Sequence, residues 1–235
     1  MRGMPSVAAS PLAHSPLEAL VRKAGATMVA RHGWLVAAHY GSAGGEIALC
    51  DKAVGLADRS DLGKLELRGD ADAIEQLVGQ LTGGQALGGE ALLAGGAWWC
   101  AVSSEHVVVL CDAGRTEPIR AAIGEAVRWT PGATVTDLTA RYAALGLFGP
   151  ATEDVLEELC GSQPALRDVD PPALHVTMLA SIPVLLLRAS PTRAVVLTGA
   201  SRAPALWTEL ERAGRDAGLG HVGADAVSHF SPLAS

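Results

Sequence analysis

Few side chains in this 235-residue chain are grouped closely enough to do chemistry. Two carboxylates three apart, Asp58 and Asp61 in "ADRSDLG", have the spacing that lets a turn present both to one side as an acid and a base. Turn capping explains them with fewer assumptions, because Asp and Ser bond nearby backbone N–H groups. Asp137 and Thr139 occupy a related place later on, which fits a structural role in both copies. In "GGAWWCAVSS" two adjacent tryptophans precede a thiol, in a chain with 4% aromatics. On a strand Trp98 and Trp99 point to opposite faces, so one enters the core and the other meets solvent, a partner or a ligand. The plainer alternative, that both are packing residues, is the one the residues favour. His32 and Trp34 in "ARHGWLVAAHYGS" read as an ordinary packed segment.

Several kinds of chemistry are not expected. "GSAGGE" and "LTGGQALGG" lack the spacing of a P-loop or a dinucleotide fingerprint, and no Gly-x-Ser-x-Gly elbow offers an acyl-transfer nucleophile. Cys50, Cys100, Cys111 and Cys160 are too widely spaced for a zinc site, and read as reduced, mostly buried thiols of a cytosolic protein. A net charge of −7 with 18% charged residues supplies no basic stripe for nucleic acid. The first twenty residues contain no signal-type apolar core, and "HVVVLC" and "IPVLLL" are too short to cross a bilayer, so a cytoplasmic location is expected.

The elements that must position these residues come from an internal repeat. "KLELRGDADAIEQLV" and "ALGLFGPATEDVLEEL" each read as an alternating strand, a closing glycine (Gly69 or Gly149) and a helix with apolar residues at helical spacing. A second pair, "VVVLCDAGRTEPIRAAI" and "AVVLTGASRAPALWTEL", shares a β-branched strand, a small-residue loop, an arginine (Arg115 or Arg202) and a proline near the helix start. The halves run from about Glu46 to Trp129 and from about Thr134 to Val222, joined by the turn "TPGA". Each mixes strands with two helices, so the fold class is α+β: two like, pseudo-symmetric subdomains with a natural ligand cleft between them. "LTGGQALGGEALLAGG" has no evident counterpart in the second half and reads as a flexible loop plus a hairpin.

With these residues in hand, the chain resembles the glycine-cleavage T-protein (aminomethyltransferase) family. "SPLEALVRKAGATMVARHGWLVAAHYGS", "GGEIALCDKAVGLADRSDLGKLELRGDADA", "LTARYAALGLFGPATEDVLEEL" and "GLGHVGADAV" carry the likeness in the family's order, over residues 15–227. Residues 1–14 then form a flexible start and 228–235 a tail. The resemblance implies the duplicated tetrahydrofolate-binding fold around a central channel, without the C-terminal barrel that family members usually carry. In that respect the chain is similar to the gamma subunit of heterotetrameric sarcosine oxidase.

The resemblance also assigns residues. Trp98, Trp99 and Cys100 would wall the channel, with Trp99 and Cys100 standing where the family has an aspartate pair. Leu62 would touch the flat ring, in "SDLG" where the family has histidine and methionine, and Arg188 would meet a carboxylate. Cys111 or Asp112 takes the place of the family's asparagine, and the glutamate that grips the pterin has no match in "RASPTRAVVL". Cys100 and Asp112 are therefore the candidate catalytic groups, and tetrahydrofolate is the implied cofactor. The expected activity is one-carbon transfer to a small amine or specialised metabolite. The alternatives are a non-catalytic partner subunit like sarcosine oxidase gamma, and a non-folate enzyme that reuses the channel.

Overall fold

The structure is a computed structural model that describes residues 12–85, 87, 91–161 and 166–230. Strands β1 (Ala13–His14), β2 (Thr27–Arg31) and β3 (Trp34–His39), with helix α1 (Glu18–Lys23), form a small entry sheet in the order β1-β3-β2. The first half follows as α2 (Ala43–Cys50), β4 (Gly55–Asp58), β5 (Gly63–Arg68), α3 (Ala71–Thr82), β6 (Ala91–Ala94), β7 (Ala97–Ser103), β8 (His106–Cys111) and α4 (Thr116–Arg128). The second is β9 (Thr134–Asp137), β10 (Tyr142–Phe148), α5 (Thr152–Cys160), β11 (Ala173–Leu179), β12 (Ile182–Ser190), β13 (Arg193–Gly199) and α6 (Ala203–Ala213). The short β14 (Gly220–His221) and α7 (Ala224–Phe230) finish the described chain. Thus Ala13 and His14 of the expected flexible start pair in parallel with Trp34 and Leu35, while residues 1–11 and 231–235 lie outside the described residues.

Local sequence explains the elements. In α3, Ala73, Ile74, Leu77 and Val78 recur at helical spacing and are buried together. Pro204 sits in the first turn of α6, where a missing N–H costs little. The run of β-branched residues in β8 is buried along most of its length because this strand is covered on both faces.

The repeat is visible in strand order. One sheet runs β6-β7-β8-β5-β9 and the other β11-β12-β13-β10-β4, extended by β14. The orders correspond, with one exchange that sequence spacing does not reveal. β4 precedes β5 in the chain but pairs with β10, and β9 precedes β10 but pairs with β5. Asp58 lies opposite Leu145 just as Asp137 lies opposite Leu65. Each half therefore lends its first strand to the other half's sheet.

The β6–β7 hairpin also has a counterpart, contrary to the expectation for the glycine-rich stretch. It is the β11–β12 hairpin, with Ala180 and Ser181 at φ 46° and 65° where the first copy has Gly95 and Gly96 at 58° and 72°. Both are two-residue turns of the type that needs positive φ at both positions. Non-glycine residues in the second copy hide the match. Residues 86 and 88–90 of that stretch lie outside the described residues.

One apolar cluster lies beneath α3 and α4 and includes Leu65, Leu67, Leu77 and Ile123. A second lies beneath α1, α5 and α6 and includes Leu145, Leu156, Leu206 and Trp207. A third, with Leu110, Leu187 and Leu197, fills the layer between the two sheets. Helices therefore cover the outer faces, and the inner faces meet each other.

Gly149 closes β10 at φ 126°, and a Cβ there would come within 2.3 Å of the Ala53 carbonyl oxygen. Gly149→Ala is expected to cost about 1–3 kcal/mol in urea denaturation. Gly124→Ala, inside α4 with open space around it, is expected to add about 0.5–1 kcal/mol instead.

Candidate functional site

The layer between the sheets contains two cavities related by the repeat. Register defines the correspondence: Lys64 faces Leu110, which faces Trp98, and in the second half Ala144 faces Leu197, which faces Leu185. The first cavity is lined by Leu62, Trp98, Leu110, Phe148, Ala189 and Arg193, among others. The second is lined by Tyr142, Leu185, Leu197, Arg68, Val102 and His106, among others. Trp98, Leu110 and Phe148 in the first answer to Leu185, Leu197 and Arg68 in the second. Their sizes differ sharply, at about 40 Å³ and about 300 Å³. The Trp98 indole and the Phe148 ring take up the space in the first, and Gly146 makes room for the Phe148 ring. A Cβ on Gly146 would lie 2.7 Å from the Phe148 ring and 3.3 Å from Cγ of Arg59.

Beside the small cavity the turn after β4 organises the charges. Arg59 donates to Asp61 at 3.3 Å and to Asp112 at 2.7 Å, so both carboxylates are engaged in neutralising a nearly buried guanidinium. Asp58 and Asp137 cap equivalent turns: Asp58 accepts from the Ser60 N–H at 3.0 Å and Asp137 from the Thr139 N–H at 2.8 Å. Capping therefore describes this pair better than acid–base work does. Burial raises the Asp58 carboxyl above its ordinary value, although Ser15 and Ser60 pull the other way.

Lys64 is almost fully buried under that turn. Its ammonium donates to the Ser60 and Leu62 carbonyls at 3.0 and 2.6 Å. Burial pulls its pKa down to about 8 against the opposing influence of Asp61, Asp58 and Asp137. Next along the same face, Glu66 lies 3.0 Å from Arg68 and 2.9 Å from Nε2 of His106. Burial, followed by the charge of Arg68, lowers the His106 pKa and favours the neutral ring.

The residues assigned from the resemblance fall into different layers. Leu62, Trp98 and Cys100 share the inter-sheet cluster. Cys100 is completely buried, and its thiol is pushed up to about 12 by burial. Trp99 points the other way, as strand alternation requires, and packs under α3 and α4 with its indole N–H donating to the Ala94 carbonyl at 3.1 Å. Both tryptophans are buried packing residues. Cys111 also faces the helices, with its sulfur 3.9 Å from Thr116 Oγ1. Asp112 is bound by Arg59. Arg188 meets a carboxylate of its own chain: buried, it pairs with Glu153 of α5 and donates to the carbonyls of Leu166 and Val169, the latter at 2.6 Å. It ties α5 to β12 and lines neither cavity.

The group that sequence reasoning passed over is Lys64, Glu66, Arg68 and His106. A signal was present, since in "KLELRG" three charged residues alternate onto one face where "ALGLFG" has Ala144, Gly146 and Phe148.

Comparison with known proteins bears on this arrangement directly. The sequence matches the GCVT N-terminal domain family over residues 17–230. This chain belongs to that family. It is 31% identical over 195 residues to an aminomethyltransferase of Mycobacterium avium, covering 75% of this chain and 50% of that one. It is 30% identical over 161 residues to an aminomethyltransferase of Mycobacterium tuberculosis, covering 63% and 43%. The chain thus spans about half the length of the curated relatives it matches.

In solved structures the fold is similar to the glycine cleavage system aminomethyltransferase T of Bartonella henselae. The TM-score is 0.75 at 18% identity, over 92% of this chain and 61% of that one. It is also similar to a chain of the heterotetrameric sarcosine oxidase of Corynebacterium sp. U-96, with a TM-score of 0.65 at 23% identity, over 88% and 97%.

Aminomethyltransferases of this family generally use tetrahydrofolate. In this member the space beside Leu62 and Trp98, about 40 Å³, is far below the roughly 300 Å³ at which ligand cavities begin. The residues present there do not fit a pterin while Trp98 fills it.

Two outcomes follow from the site. Trp98→Leu should empty an apolar space and cost about 2–4 kcal/mol of stability, with part of the loss recovered when indole is added and thermal unfolding is remeasured. Lys64 binds its proton less tightly when folded than at its ordinary value of 10.5, so the unfolded chain holds more protons between about pH 8 and 10.5. Its contribution to stability should therefore rise with pH across that window, and urea titrations should show a flatter profile for Lys64→Met.

Proposed function

We propose that this chain is a binding subunit of the GCVT N-terminal domain family, acting in the cytoplasm with a protein partner rather than transferring one-carbon units from tetrahydrofolate itself. The observation that carries this reading is the filled cavity: Trp98 and Phe148 occupy the space beside Leu62 where the resemblance would seat the flat ring. The chemistry around it agrees. Cys100 is held far from thiolate character by burial, and Asp61 and Asp112 are both engaged by Arg59. Neither carboxylate is available to accept a proton without exposing the charge of a buried guanidinium. Support for a partner comes from the likeness to a chain of a heterotetrameric oxidase, nearly all of which is matched. Val176 is 67% exposed on β11, an edge strand, so apolar surface is present for a second protein to cover.

A second reading has its own support in the aminomethyltransferase relatives at 30% and 31% identity. It is a tetrahydrofolate-dependent methyl or methylene transferase acting on a small amine or specialised metabolite, with Cys100 and Asp112 at the reacting end and Trp98 displaced on binding. Calorimetric titration with tetrahydrofolate and 5-formyltetrahydrofolate separates the two. No saturable binding in the micromolar range, together with a stoichiometric partner recovered with the tagged chain from its native cell, is the expected result. Micromolar folate binding by a monodisperse monomer would establish the second reading instead.

A further inference from the structure

The two sheets differ at one edge. In the second, β4 is covered by β14, and the Gly220 and Val222 N–H groups donate to the Val54 and Leu56 carbonyls, each at 3.0 Å. In the first, β9 takes the place of β4, yet among the described residues it pairs with β5 alone. Leu138 donates its N–H to the Lys64 carbonyl, so Thr136 and Leu138 face β5, while the alternate residues Val135 and Asp137 turn their N–H and C=O groups outward. Val135 is by register the counterpart of Leu56, whose carbonyl holds the segment of β14. An open edge of this kind is a template for another strand.

The helix beside that edge also differs from its counterpart. α6 holds β14 through Trp207, on which His221 stacks, and through Glu211, 2.8 Å from the same ring. Counted from the single helical turns Ala113–Arg115 and Ala200–Arg202 that precede the two helices, Arg120 of α4 stands for Trp207 and Gly124 for Glu211. Both line an open groove of about 550 Å³ between α4 and β9, which they share with Val135 and Asp137. A Cβ on Gly124 would meet nothing, so no neighbour within the chain requires a residue that weakens the helix. What Gly124 does permit is close approach by another backbone.

The groove-facing residues of α4 form a self-complementary series. Glu117, Arg120, Ala121, Gly124, Glu125 and Arg128 are spaced three, one, three, one and three apart, the same from either end. Laid antiparallel against a copy of itself, the helix sets Glu117 against Arg128, Arg120 against Glu125 and Ala121 against Gly124. Acid meets base throughout, and the small residues meet at the centre. Within one chain these charges have exposed pairings along the helix, Glu117 with Arg120 and Glu125 with Arg128, and such pairs add little to stability. We propose that this face is a two-fold interface with a second copy of this chain, in which the β9 strands pair antiparallel about Thr136 and the α4 helices lie side by side. Val135 of each copy then exchanges backbone hydrogen bonds with Asp137 of the other, and the two five-stranded sheets become one. The interface is independent of whether the chain binds folate or a different protein.

Sedimentation velocity of the full chain, run over a range of concentrations, is the test. The expected result is a reversible dimer that weakens as salt is raised. Arg120→Glu, an exposed change that sets like charges together at two symmetric places, should raise the dimer dissociation constant roughly tenfold or more. Arg120→Glu combined with Glu125→Arg should recover dimerisation. Within one helix that double variant places like charges together at 117 and 120 and again at 125 and 128, so recovery can come only from the second copy. Hydrogen exchange identifies the strand: the Val135 and Asp137 amides should exchange more slowly as the chain concentration rises. A chain that stays monomeric at submillimolar concentration, a dimer unaffected by Arg120→Glu or not recovered by the double variant, or a dimer that leaves those two amides unprotected would each overturn the proposal.

Discussion

The exchange of first strands between the two halves is the constraint on which the rest of the molecule depends. Because β4 completes the sheet of β10 and β9 completes the sheet of β5, neither half can close its hydrogen bonding alone. The turns that follow these strands must cross between the sheets, and this fixes the 59–62 and 138–141 segments at the edge of the inter-sheet layer. The backbone bonds are reciprocal: the Arg59 N–H donates to the Ala144 carbonyl at 2.8 Å, and the Leu138 N–H to the Lys64 carbonyl at 2.8 Å. Duplication and exchange together generate two equivalent cavities in one layer.

What distinguishes the cavities is side-chain choice on an almost common backbone. In one, a tryptophan and a phenylalanine complete the packing, with Gly146 leaving space for the Phe148 ring and for Arg59. In the other, Leu185 stands for Trp98 and Arg68 for Phe148, and Lys64 and Glu66 replace Ala144 and Gly146, so charges that cannot interdigitate with leucines leave a solvent-connected space. The side chains thus decide which end of the inter-sheet layer is open.

The segments outside the repeat are fastened by a buried carboxylate. Glu46 accepts from the Tyr40 N–H at 2.6 Å and from the Gly223 N–H at 2.7 Å, joining the end of the entry sheet to the turn before α7. His221 adds a second link, stacking on Trp207 with ring centroids 5.3 Å apart and lying 2.8 Å from Glu211. Both ends of the described chain are therefore held against the second sheet, and Phe230 of α7 reaches the small cavity.

The sequence by itself determined the α+β class, the repeat and the helix and strand types, because these follow from local periodicity and from glycines at strand ends. Alternation within "AWWC" also placed Trp98 and Trp99 on opposite faces, and the capping of Asp58 and Asp137 was legible in their turn residues. Strand exchange was not legible, since a strand carries no local mark of which copy of a duplicated partner it will pair with. The matching hairpin at Ala180 and Ser181 was hidden for a related reason: tertiary contacts hold non-glycine residues at positive φ there. The tertiary structure alone decided that Arg188 is neutralised by Glu153 and that Arg59 engages Asp61 and Asp112. It also decided that one cavity of the pair is full and the other open. Such outcomes depend on volume and charge across a packed layer, and residues distant in the chain settle them jointly.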